Sequence, residues 1–136
     1  MENIDNKKLY EMARQARTNA YAPYSGFRVG AALLTSDGRV FTGVNIENSS
    51  FGGTICAERV AFAKAISEGV RDFEAIAVSA GEEEAVPCGI CRQFMAEFGT
   101  HIRVITCQGE GKLRTRSLGE LIPDAFVLKN REKDGE

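Results

Sequence analysis

Phe73-Glu74-Ala75-Ile76-Ala77-Val78-Ser79-Ala80, then Pro87-Cys88-Gly89-Ile90-Cys91, then Ile102-Arg103-Val104-Ile105-Thr106-Cys107 are the three runs that decide the architecture. The first and third are short and apolar, the pattern of buried strands. Pro87 suits a helix start, because its missing N–H is not needed in the first turn. Cys91, Phe94, Met95 and Phe98 recur at helical spacing, and Gly99 closes the segment. Strand, helix and strand of this length predict a parallel strand pair joined by a right-handed crossover.

Upstream of this unit, Cys56 to about Glu68 is rich in Ala, Val, Phe and Ile. It predicts a buried helix, apolar nearly all round and ended by Gly69. Before it, Phe27, Val29, Ala31 and Leu33 alternate with Arg28, Gly30 and Ala32, which predicts a half-buried strand. Ser36-Asp37-Gly38 signals a tight turn, with Arg39 to Val44 as the return strand of a hairpin. Residues 5 to 20 carry Leu9, Met12, Ala13, Ala16 and Ala20 at helical spacing behind an Asp5 N-cap. The loop Tyr21-Ala22-Pro23-Tyr24-Ser25-Gly26-Phe27 is unusually aromatic, and Asn45-Ile46-Glu47-Asn48 leaves a strand end as a candidate ligand contact.

Downstream, Leu113 to Arg116 predicts a short edge strand and Ser117 to Leu121 a helical turn. The charged tail from Lys129 is expected to fray. Glu82-Glu83-Glu84 is expected to be a solvated loop. No internal repeat, linker or second domain is visible, so residues 1–136 form one expected domain.

The chain has 136 residues, 43% of them hydrophobic, enough for a core. A formal charge of -2 gives no basic footprint for a nucleic-acid partner. No apolar run approaches the roughly 20 residues of a membrane span. Met1-Glu2-Asn3-Ile4-Asp5 is polar and shows no signal-peptide h-region. Four cysteines in that setting favour metal or redox chemistry over disulfides, and a cytoplasmic location is expected.

The chemistry is carried by Cys56, Cys88 and Cys91, with Glu58 two residues after the first. Cys88 and Cys91 at i, i+3 share one face of a first helical turn, where the helix dipole favours thiolates. Zinc takes four tetrahedral ligands, so three thiolates leave one position open for chemistry. Glu58 is the acid that the motif holds within reach of a water there, as general acid and base. Three thiolates and Zn²⁺ sum to a charge of -1, and Arg59 is the candidate that compensates it. The alternatives are a closed structural zinc site with Cys107 as fourth ligand, and a redox CxxC. The redox reading explains neither Cys56 nor Glu58. One histidine and the absence of G-x-S-x-G argue against a serine triad, and no phosphate-cradling glycine motif occurs.

Cys56-Ala57-Glu58-Arg59 with Pro87-Cys88-Gly89-Ile90-Cys91-Arg92-Gln93 resembles the free-nucleoside cytidine deaminases, in their small three-cysteine form. Tyr21 to Ser25, Phe27 with Val29 to Ala32, Gly43 to Asn48 and Leu121 to Phe126 extend the resemblance over nearly the whole chain. It implies a three-layer α/β/α sandwich around a mixed five-stranded sheet, with one zinc per chain on Cys56, Cys88 and Cys91. It further implies proton transfer by Glu58, ribose binding by Asn45 and Glu47, and packing of Phe27 on a pyrimidine. The Ala57 backbone would hydrogen-bond the base, and Arg59 would soften the thiolate charge. Phe126 would reach into a neighbouring subunit's site, because such enzymes resemble homotetramers with sites at subunit interfaces. The implied reaction is hydrolytic deamination of cytidine and 2′-deoxycytidine. Phe51 stands where relatives commonly carry tyrosine. Gly52-Gly53-Thr54 is similar to blasticidin-S deaminase, which lacks the Asn-x-Glu pair present here.

Overall fold

The computed structural model describes residues 3–128. The expectations for the first two residues and for the tail from Lys129 lie outside the described residues. Asp5 caps the first helix, α1 (Asn6–Ala16), its carboxylate accepting from the Lys8 N–H at 2.8 Å. A short 3₁₀ turn at Arg17–Asn19 follows, so the helical segment ends close to the predicted residue 20. The hairpin is β1 (Gly30–Thr35) and β2 (Val40–Val44), antiparallel with Ala31 opposite Gly43. After a 3₁₀ turn at Phe51–Gly53 come α2 (Ala57–Ser67) and β3 (Phe73–Ser79). Then follow α3 (Gly89–Ala96), β4 (Arg103–Cys107), β5 (Leu113–Ser117) and α4 (Leu118–Leu121). A Ser117/Glu120 capping box starts α4.

The five strands form one mixed sheet in the order β2-β1-β3-β4-β5. β3 and β4 are the parallel pair, with Ile76 opposite Val104, and the crossover between them runs through α3. The other neighbours pair antiparallel. Leu9, Tyr10 and Ala13 of α1 bury against Ala32, Leu34, Ala75, Ala77 and Ile105 on one face. On the other face, Phe62 of α2, Met95 of α3 and Leu118 of α4 bury against Leu33, Ile76 and Val104. These are the three layers that the family resemblance implied.

Four sequence expectations change. β1 is buried at every position rather than half-buried, because helices cover both faces and its second face is lined by small residues instead of polar ones. α2 is buried along one face, while Ala63 and Lys64 are exposed on the other. Pro87 precedes the α3 cap instead of occupying its first turn. Glu84 is not solvated: Thr106 Oγ1 donates to its Oε2 at 2.6 Å, and Arg114 and Arg116 approach at 3.6 and 3.5 Å.

Two glycines and one aromatic cluster place the helices. A Cβ at Gly30 would lie 2.1 Å from the Ala13 carbonyl oxygen, and one at Gly43 would lie 2.4 Å from that of Ala57. Each absent side chain therefore lets a helix backbone rest directly on the hairpin. Phe62 packs on Phe73 with centroids 4.8 Å apart, and Phe98 lies 5.8 Å from both rings. Pairs of this geometry contribute ~0.5–1.5 kcal/mol beyond their burial. They fix α2 beside the chain that follows α3, and so bring two helix starts together.

Candidate active site

Cys56 is the N-cap of α2 and Cys88 the N-cap of α3, both with extended backbone. A serine or aspartate at such a position folds back on the helix N–H groups. Neither cysteine makes that bond, and both sulfurs turn to the space between the helix starts. Cys56 Sγ and Cys88 Sγ are 3.9 Å apart, and with Cys91 Sγ they form a set within 4.8 Å of one another. A tetrahedral ion with Zn–S bonds of ~2.3 Å needs sulfurs about 3.8 Å apart, so the donor set fits zinc. Cys107 is not part of it. It faces the α1 layer, across the sheet from Cys91, which removes the fourth thiol of a closed structural site.

The electrostatics of the cluster are uneven. The Cys56 thiol is pulled down to about 5, first by a hydrogen bond from Cys91 and further by Arg59 and Cys88, against the opposing effect of burial. Cys91 moves upward, as the donor of that bond and as a buried group. Arg59 reaches back along α2, its Nη2 3.7 Å from Cys56 Sγ and 3.4 Å from the Thr54 carbonyl oxygen. Glu58 is buried, 4% exposed, and burial pushes its carboxyl up to about 7, with the negative Cys56 adding to the effect. A carboxyl poised there exchanges protons readily at neutral pH.

Asn45 and Glu47 are tied to the cysteine cluster through the backbone between them. Ile46 pairs with Ile55, the residue before Cys56, through two 2.9 Å hydrogen bonds, and Tyr21 pairs on the other side of Ile46. Asn45 is buried; its Oδ1 accepts from the Val29 N–H at 2.9 Å and its Nδ2 donates to the Phe27 carbonyl at 2.8 Å. One amide hydrogen and one lone pair remain for a ligand. Glu47 accepts from the Tyr24 and Ser25 N–H groups at 3.0 and 3.1 Å and from the Ser25 hydroxyl. The Ser25 hydroxyl holds its carboxyl below the usual range. Tyr24, Ser25, Glu47, Asn48, Phe51 and Thr54 line a cavity of about 370 Å³. Phe27 stands 44% exposed, and Phe126 69% exposed.

Spacing alone assigned no role to Tyr24, Ser25, Thr54 or Arg92. Arg92 donates from Nε to the Pro87 carbonyl and from Nη1 to that of Leu121, each at 2.7 Å. Gln93 donates to the Phe126 carbonyl at 2.9 Å. Their position directly after Cys91 was the available signal: an arginine and an amide in the first turns of a ligand-bearing helix have loop carbonyls in reach.

Residues 3–107 match the family model for the cytidine and deoxycytidylate deaminase zinc-binding region. The chain belongs to the cytidine deaminase family. It is 48% identical over 125 residues to the cytidine deaminase of Sporosarcina psychrophila, covering 90% of this chain and 92% of that one. Against the cytidine deaminase of Halalkalibacterium halodurans the identity is 49% over 129 residues, covering 93% and 98%. The crystal structure of cytidine deaminase from Burkholderia pseudomallei superposes with a TM-score of 0.80 at 49% identity, covering 87% of this chain and 96% of that one. The family is a zinc-binding one, and the three-cysteine cluster is the donor set this member offers.

Proposed function

We propose that this chain hydrolyses the exocyclic amine of cytidine and 2′-deoxycytidine, giving uridine or 2′-deoxyuridine and ammonia in pyrimidine salvage. The observation that carries the reading is the pairing of the three-thiol cluster with Glu58, buried in the same first turn of α2. Zinc held by Cys56, Cys88 and Cys91 supplies the Lewis acidity that makes water a nucleophile at neutral pH.

Glu58 accepts a proton from the attacking water as its oxygen bonds to C4, and delivers it to N3 of the ring. The new C4 hydroxyl then gives its proton through Glu58 to the exocyclic nitrogen, the C4–N bond breaks as C4=O forms, and ammonia leaves. Arg59 offsets the charge on Cys56. The ring lies against Phe27, with the Ala57 backbone hydrogen-bonded to the base. Asn45 and Glu47 hold the ribose, chiefly its 3′-hydroxyl, with the bonding capacity their loop contacts leave free.

The whole chain acts as one deaminase domain, and its assembly is a homotetramer. Support for the assembly comes from large apolar side chains beside the site: Phe51 is 79% exposed, Ile90 67% and Phe126 69%. A second copy covering them would bring Phe126 to its neighbour's site. Reduced thiols fit the cytoplasm. Among the described residues no helix is long and apolar enough to cross a membrane.

The test is product analysis with cytidine, 2′-deoxycytidine, cytosine and CMP offered separately. One uridine and one ammonia per cytidine, with cytosine and CMP left intact, is the expected result. Equal turnover of free cytosine, which has no sugar, would remove the ribose-binding role of Asn45 and Glu47, and equal turnover of CMP would overturn the free-nucleoside reading.

A further inference from the structure

The loop that delivers Cys88 is fastened at a residue outside the motif. β3 ends at Ser79, and the chain reverses at once: Ala80 and Glu83 pair across a turn in which Gly81 has φ +81°. The next side chain, Glu84, is only 22% exposed. It accepts from Thr106 Oγ1 of β4 at 2.6 Å, and two arginines of β5 approach it, Arg114 at 3.6 Å and Arg116 at 3.5 Å. Four residues later comes Cys88. At the far end, Arg92 fastens the Pro87 carbonyl and, through its other nitrogen, the Leu121 carbonyl.

The three ligands differ in how they are held. Cys91 is buried inside α3, and Cys56 caps a helix packed on the sheet. Cys88 is exposed and precedes the first helical residue, so its position depends on the loop. Residues 85 to 87 span at most about 11 Å when extended. A fixed point at Glu84 and another at Pro87 therefore leave little freedom at Cys88.

We propose that Glu84 is a positioning residue for the zinc site, preorganising Cys88 by anchoring its loop to β4 and β5. The proposal rests on the zinc assignment. It predicts that loosening the anchor weakens the hold on the metal while the cysteines stay intact, the behaviour of groups that orient ligands from outside the coordination sphere.

The experiment is the rate at which the zinc-loaded protein releases its ion to excess chromophoric chelator, with the thermal midpoint of each variant measured alongside. Glu84→Gln should release zinc about 10-fold faster, and the exposed neighbour Glu83→Gln should match the parent. Thr106→Val removes only the 2.6 Å bond; it should accelerate release less, and the double variant should be no faster than Glu84→Gln alone. If Glu84→Gln does not fold, Thr106→Val carries the test. Release within twofold of the parent in the folded variants overturns the proposal, as does a lowered thermal midpoint with an unchanged release rate. A parent chain that holds no zinc overturns the site assignment itself, and the proposal with it.

Discussion

The Arg59 guanidinium lies 3.7 Å from the Cys56 sulfur, three residues before it in the chain. Its Nε is buried without a hydrogen-bond partner among the described residues, so the side chain is placed for charge more than for a full set of bonds. Three thiolates on one zinc carry a formal charge of -1, which weakens the metal's pull on water. Arg59→Gln should therefore retain zinc and lose about 10- to 100-fold in kcat/KM. Metal content and steady-state rates on the same preparation check this, and an unchanged kcat/KM would remove Arg59 from the account.

Glu58 makes two separable predictions. Glu58→Ala should bind zinc and lose activity by on the order of 10²–10⁴ or more. The second concerns the zinc-free chain. The folded carboxyl titrates near 7, against ~4.3 when unfolded. Between these values the folded state binds the extra proton, so the group's contribution is fully present below about pH 4 and is lost as pH rises through 7. Glu58→Gln should thus be more stable than the parent at pH 8, by a few kcal/mol on the order of one pKa shift of this size. The two should converge at pH 4. Urea melts at both pH values check the sign, and a difference independent of pH would contradict it.

Asn45 and Glu47 should separate in how they fail. Asn45 is buried and bridges Phe27 and Val29, so Asn45→Ala leaves a carbonyl and an N–H without partners and should lose ~1–3 kcal/mol of stability as well as raising KM. Glu47 is only partly buried, and its loss should raise KM with a smaller change in the urea midpoint. KM for cytidine unchanged in both variants would detach the pair from the ribose.

Gly43→Ala tests how α2 is seated. The added carbon would meet the Ala57 carbonyl oxygen at 2.4 Å and the Ala61 nitrogen at 2.5 Å, both backbone atoms. The helix start carrying Cys56, Ala57 and Glu58 must move away from β2, and overpacking of this kind costs about 1–3 kcal/mol. Lower stability together with lower kcat is expected. A variant with the parent's melting temperature and kcat would show that the contact is not limiting.

The individual elements could be read from local rules before the fold was known, while the layered sheet and the roles of Phe27, Asn45, Glu47 and Phe126 came from the family resemblance. The Asp5 cap, the hairpin turn, the helical turn from Ser117 to Leu121 and the CxxC spacing each involve groups a few residues apart, and each appears in the structure. The misreadings of Glu84 and β1 came from partners distant in sequence. Glu84 looked solvated because it sits in a run of three acids, while its partners Thr106, Arg114 and Arg116 belong to strands 22 to 32 residues later. β1 looked half-buried because its second face carries Gly30 and Ala32; small residues there are what lets α1 lie close. The hydrogen bonds that the Tyr24 and Ser25 N–H groups donate to Glu47 join two loops more than 20 residues apart, which no periodicity reveals.

The central claim is that the cluster of Cys56, Cys88 and Cys91 holds the metal that cytidine hydrolysis needs, with Glu58 moving the protons. Its most direct test is the loss of cytosine-ring absorbance when purified protein meets cytidine, followed before chelation, after zinc removal and after zinc is returned. The account predicts turnover with one zinc per chain, none after removal, and recovery on reloading. Turnover that persists in chain shown to be free of metal would contradict it.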